Sequence, residues 1–355
     1  MGAIALVLAA APAFGWGDDG HFLITREAVE RLPQPLRGYF LDDGALERLQ
    51  NASIAPDQWR EAERKKEKAD PLYVPTEKPK HYFDVDVLKD RIPAPFTAFP
   101  RDRAEVECLV GPERMDQLGT GLWAVQDALQ ALVEAMTLGR ADDLIREAGA
   151  LAHYVADLHM PFHTTTNYDG QESGNPGIHR ALEIGLVKRY PDFYAAEIRR
   201  DRTIIPYLGD PREATFGWIV TANSRVAPIL EADTIARRQT GYDPKLWERP
   251  ADGSPSDLDD VESARARPYY ARLKKELQDR GSPEAAAMRD AAQHVAQCLY
   301  TAYVLSGQQV GREAVPAEEQ TAPPFPYWAA AAGVLVMVVL LWLRRRPRAA
   351  GGSPP

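Results

Sequence analysis

Cysteine is scarce: the 355 residues include only Cys108 and Cys298, far apart and without a C-x-x-C spacing. Two thiols exclude a disulfide framework and a thiolate metal site, and leave room for at most one disulfide. No Gly-rich phosphate loop and no Gly-x-Ser-x-Gly turn occurs, which argues against nucleotide-triphosphate and serine-nucleophile chemistry. Strand-like alternation is rare, and no period of roughly 20 to 50 residues recurs, so neither a β fold nor a repeat array is expected. Positive charge is also in deficit. Of 42 basic residues four, Arg344, Arg345, Arg346 and Arg348, follow the last acid, so the body sets 38 bases against 51 acids. That balance disfavours a protein held to phosphate backbones by a basic surface. It does not exclude a nucleic-acid substrate, because bound metal ions make a positive site inside an acidic body.

The ends of the chain carry topological signals. No Lys or Arg precedes Arg26, yet Ala3 to Ala11 is an apolar run and Ala13-Phe14-Gly15 has the small-x-small form of a cleavage site. A signal peptide over 1–15 is expected, leaving Trp16 as the new N-terminus. At the other end Tyr327 to Leu343 holds no charge, carries Trp328 and Trp342 near its ends, and runs into Arg344-Arg345-Arg346. This pattern predicts a membrane helix over 327–343, just within the ~17 to 25 residues that span a bilayer, with the arginines cytoplasmic. The expected order is then a domain over 16–307, a Pro- and Glu-rich stalk over 308–326, the span, and a tail over 344–355. The protein would be exported and anchored in the membrane.

Between the ends the pattern is helical. A composition of 45% hydrophobic residues can fill one large core. Apolar residues at spacings of three and four predict helices over Glu113–Leu138, Ala141–His159, Ile178–Tyr190, Thr215–Glu231 and Ser282–Leu305, the last capped by Ser282. Ile24–Leu32 and Ser263–Asp279 are further candidates. The charge-rich stretch Glu61–Asp70 and the Pro/Gly/Ser-rich stretch Gly241–Asp260 are expected to be surface loops. The expected fold class is all-α: a single multi-helix domain followed by the membrane helix.

The chemistry starts from the histidines. Three of the seven, His153, His159 and His163, fall within eleven positions, with Asp157 among them. On a helix His153 and Asp157 stand at i and i+4, on one face, able to close on one metal. His179 and Glu183 repeat the spacing. One such pair is ordinary on a helix surface, but two of them flanking His163 point to a metal centre.

These residues also carry a resemblance. The run His153-Tyr-Val-Ala-Asp157-Leu-His-Met-Pro-Phe-His163, followed by Gly177-Ile178-His179 and Glu183, resembles the core signature of the zinc-dependent phospholipase C and P-one nuclease superfamily. In that superfamily the mature chain begins with a zinc-binding tryptophan, and Trp16-Gly-Asp-Asp-Gly-His21 fits that place. Pro-Asp57-Gln-Trp-Arg60 and Lys-His81-Tyr-Phe-Asp84 fit the aspartate and histidine that precede the core. The resemblance implies three zinc ions: one on Asp57, His81, His153 and Asp157, a second on His163, His179 and Glu183, and a third on Trp16, His21 and a bridging Asp157. It implies hydrolysis of phosphodiester bonds by metal-activated water, with Asp57, Arg60 and Asp84 as catalytic residues. Arg60 and Asp84 take positions that in the nuclease branch contact the scissile phosphate, a plain surface salt bridge being the alternative reading. His159 is expected to pack or to support a ligand, and His294 to be a core or surface histidine. The expected substrate is a phospholipid or other small phosphodiester. Single-stranded nucleic acid is the alternative, and a tethered zinc-stabilised binding domain without turnover is a third reading. No obligate protein partner is indicated.

Overall fold

The computed structural model describes residues 16–42, 44–69, 76–200, 205–242 and 266–307. Among them the secondary structure is helical throughout. In chain order the helices are α1 (Gly17–Arg31), α2 (Leu36–Leu41), α3 (Ala45–Ala52), α4 (Ala55–Ala69), α5 (Arg103–Val110), α6 (Pro112–Leu118), α7 (Gly121–Thr137) and α8 (Ala141–Asp157). They continue as α9 (Ile178–Arg180), α10 (Val187–Arg189), α11 (Pro191–Arg199), α12 (Pro211–Ser224), α13 (Val226–Thr240), α14 (Arg267–Asp279) and α15 (Pro283–Leu305).

Helix α8 organises the core. Asp142 and Asp143 lie in its first turn, where carboxylates complement the helix dipole. From Ala148 to Asp157 every residue is buried, because α3, α7 and α15 pack around this half. A helix buried all round carries its polar side chains into the interior, so His153 and Asp157 end at the centre of the molecule. Gly149 permits the closest crossing: a Cβ there would stand 2.4 Å from that of Ala52, at the end of α3.

Several sequence expectations need correction. The helix expected over 113–138 is broken into α6 and α7 at Gly119, whose φ of 84° belongs to glycine. Across this break Thr120 and Gly121 donate their N–H groups to the carbonyls of Pro79 and Tyr82, which pins the His81 segment to α7. Thr215–Glu231 divides at Arg225 into α12 and α13. Ser282 makes no side-chain cap to α15. The stretch 61–69, expected as a loop, is the exposed second half of α4. Both cysteines are free, Cys108 exposed and Cys298 buried.

The membrane helix is the largest correction. No helix among the described residues is long and apolar enough to cross a membrane. The longest, α15, carries Glu284, Arg289 and Asp290 and packs its apolar side into the protein core. The segment 327–343 lies outside the described residues, as do 1–15, the stalk and the tail. Among the described residues the fold is all-α and holds no membrane span, so the anchored location and the membrane partnership read from that span are withdrawn.

Candidate metal centre

Eight of the nine residues expected as ligands bring their side chains together in three groups, two of which share His153. In each, one donor atom per residue lies within 4.8 Å of the others: His21, His153 and Asp157; Asp57, His81 and His153; and His163, His179 and Glu183. All eight side chains are buried. Asp157 is the hub, with Oδ2 2.9 Å from His81 Nδ1, 3.2 Å from His153 Nε2 and 3.6 Å from His163 Nδ1, and Oδ1 3.4 Å from His21 Nε2. Asp57 Oδ1 stands 3.7 Å from His81 Nδ1. Across the cluster Glu183 meets His179 Nε2 and lies 3.4 Å from His163 Nε2. Trp16 is also buried, and its indole N–H donates to the carbonyl of Ala156, which brings the start of α1 beside Asp157.

Backbone carbonyls fix the rings. His153 Nδ1 donates to Ser53 O at 2.8 Å and His163 Nδ1 to His81 O at 2.7 Å, so each ring turns Nε2 towards the cluster. The N–H of Phe83 returns a bond to His163 O, stitching the two ligand segments together. Glu77 lies on the other side of His81, its Oε1 3.7 Å from His81 Nε2, beyond hydrogen-bond reach. Tyr154 and Lys80 hydrogen-bond to that carboxylate. Outer partners that hydrogen-bond a ligand, as the Ser53 carbonyl does, set its tautomer and basicity. Sequence reading missed Glu77 and the Ser53 carbonyl. Glu77 stands four residues before His81, the spacing already noticed for the other pairs, whereas a backbone carbonyl leaves no signal in residue type.

Glu183 owes its position to a local irregularity. The helix expected from 178 contains a π-turn over Ala181–Leu186 between α9 and α10. Turns of this type are rare and gather at functional sites.

The electrostatics call for cations. Burial lowers His81 and His179 to about 4, keeping both imidazoles neutral. Burial would raise Asp157, but His153 and His163 outweigh it and hold its carboxyl well below the usual range. At His153 burial opposes the charge, yet Asp157 and then Asp57 raise the pKa to about 9. Burial raises Glu183 well above the usual carboxylate range, opposed by His163. Several donor atoms find no hydrogen-bond partner: Nε2 of His21, His163 and His179, and an oxygen each of Asp57, Asp157 and Glu183. Unsatisfied groups buried together are costly unless a cation joins them. Imidazole nitrogen and carboxylate oxygen are the donors zinc takes.

The other residues fall around this cluster. Arg60 Nη2 lies 3.1 Å from Asp57 Oδ1, one turn along α4. Asp84 is buried with Oδ1 unsatisfied, and burial, then Asp86 and Glu172, push its carboxyl well up. His159 lies apart: Nδ1 donates to Val155 O and Nε2 meets His294 Nδ1 at 2.6 Å. The His294 ring stacks on Trp218.

An all-helical core built around clustered imidazoles and carboxylates defines a metal-dependent protein. The chain belongs to the zinc-dependent phospholipase C family, whose sequence model matches residues 20–224, more than half of the protein. All eight clustered side chains lie within the matched residues, and Trp16 lies just before them. No match is found among curated proteins. Family and site together make this a zinc-dependent hydrolase of the phospholipase C type, acting on phosphodiester bonds.

Proposed function

We propose that the protein hydrolyses the phosphodiester bond of a phospholipid at a cluster of three zinc ions. The observation that carries this reading is the convergence of buried, unsatisfied donors into three adjacent groups, two of them sharing His153, with Asp157 of one group reaching His81 and His163 of the other two. Asp57, His81, His153 and Asp157 would hold one ion, and His163, His179 and Glu183 a second. Trp16, through the free amine left after removal of 1–15, would hold a third with His21 and Asp157. Bound zinc supplies an acidified water and charge stabilisation for the attacking and leaving oxygens.

The protein's own groups have distinct tasks. The second group offers three side chains, fewer than the four that close a structural zinc site, which favours turnover over a purely structural role. Asp57, held by Arg60, is placed to accept a proton from the attacking water. The Arg60 guanidinium, on the edge of the cluster, is placed to bind a phosphoryl oxygen. Asp84, whose carboxyl is pushed well up by burial and by Asp86 and Glu172, would in its protonated form donate a hydrogen bond to the phosphodiester.

The test assays purified protein on phosphatidylcholine and on single-stranded DNA, with and without chelator, alongside elemental analysis. Chelator-sensitive release of the phosphorylated head group and about three zincs per chain are expected. Cleavage of DNA alone would move the protein to the nuclease alternative. Absence of turnover with zinc in place would favour the binding domain.

A further inference from the structure

His179 and Glu183 stand on the helical segment that begins after Gly177, which receives no side-chain cap. Its start is set by the preceding turn instead. The N–H of Gly177 donates to Asp169 Oδ2, that of Ile178 to Asn175 O, and that of Asn175 to Gly170 O. Asn175 is therefore the pivot of the turn, and its amide is gripped by α13. Nδ2 donates to Asp233 Oδ2 at 2.8 Å, to Thr234 Oγ1 at 2.9 Å and to Leu230 O at 3.1 Å. Asp233 has no solvent exposure and also accepts from Arg237 Nε and from the Tyr269 hydroxyl. Arg237 reaches on to the carbonyl of Pro176 at 3.0 Å.

Burying this carboxylate is costly, and pairing with Arg237 offsets the cost without making the pair a strong source of stability. What the network does is fix the approach to the ligand segment. Helix α14, which supplies Tyr269, also packs against the π-turn, with Tyr270 lying on Gly185. One helix pair thus holds both ends of the stretch that carries His179 and Glu183. Both helices lie beyond the residues that match the family.

We propose that Asp233 is a positioning residue for the His163, His179 and Glu183 site, acting through Asn175 and Arg237 to hold the two ligands of the 178–189 segment in register. The inference rests on the zinc reading above. Loss of a partner bonded directly to a metal ligand lowers metal affinity about 10- to 100-fold, which sets the upper limit for a residue acting through Asn175 and Arg237.

The test uses the full zinc-loaded chain and a chromogenic chelator that reports zinc release. In Asp233→Asn one zinc should pass to the chelator at about 10-fold lower chelator concentration, the low end of that range, with the others held as in wild type. Activity lost at limiting zinc should return when zinc is added in excess. Asn175→Ala provides a second variant if Asp233→Asn does not fold, and Asp233→Glu should restore part of the affinity. Leu277→Ala, a fully buried change in α14, controls for instability: it should lower the melting temperature without loosening a single zinc selectively. Wild-type zinc retention in both Asp233→Asn and Asn175→Ala, or the same selective loss in Leu277→Ala, overturns the proposal. A wild-type protein that carries no zinc overturns the cluster itself.

Discussion

Replacing Asp157 with Asn keeps the side chain's volume and removes the charge on which four imidazoles converge. Asp157 lies within 3.6 Å of His21, His81, His153 and His163 and is fully buried. Removing one partner from a buried charged network costs about 3 to 5 kcal/mol. At about 1.4 kcal/mol per tenfold, that is roughly two to three and a half orders of magnitude in the balance between folded and unfolded chain. Because the carboxylate belongs to two of the proposed sites, Asp157→Asn should lose more than one zinc, whereas Glu183→Gln, confined to one group, should lose one. Zinc per chain after gel filtration, followed by chelator competition, separates these outcomes. Wild-type zinc content and competition in Asp157→Asn would refute the bridge.

Three further outcomes are expected. Protein carrying one extra residue before Trp16 should lack the third zinc and turn over roughly a hundred- to several-thousand-fold more slowly than protein starting at Trp16, because a missing metal costs about 3 to 5 kcal/mol of transition-state stabilisation; equal zinc and equal rates would remove Trp16 from the ligand set. Burial pushes Glu284 up to about 7, against an ordinary value of 4.5. Its folded form therefore binds more protons than its unfolded form between those values, so its contribution is complete below 4.5 and is lost as pH rises through 7. Denaturation of wild type and Glu284→Gln across pH 5 to 8 should show the variant gaining up to about 3 kcal/mol relative to wild type at the alkaline end, and a pH-independent difference would contradict this. Gly149→Ala should destabilise by about 1 to 3 kcal/mol, since its Cβ would press on Ala52 and shift the Ser53 carbonyl from His153; unchanged melting would show that the crossing can relax.

The parts of the site that could be read from the sequence were those with local spacing. The pairs His153/Asp157 and His179/Glu183 follow from helical periodicity, and resemblance placed Asp57 and His81 with them; the structure gathers all six. What sequence reading missed depends on contacts between distant segments. The break at Gly119 follows from Tyr82 crossing α7, and the Asp233 network from α13 meeting a turn some sixty residues earlier in the chain. The solvated half of α4 carries too little apolar periodicity to distinguish it from a charged loop. The membrane expectation rested on hydropathy, flanking aromatics and the arginines after Leu343, and no described helix supplies a span.

The unsatisfied donors of the cluster make folding answerable to metal supply. A ligand that binds only the folded chain adds about 1.4 kcal/mol for each tenfold rise in its free concentration above the dissociation constant. With three such sites in one core, as proposed, each tenfold fall in free zinc would remove about 4 kcal/mol, close to the lower end of an ordinary domain's stability. On this reading the protein's lifetime, as well as its turnover, would track the zinc buffer around it, and chelation would unfold the chain instead of merely switching the enzyme off.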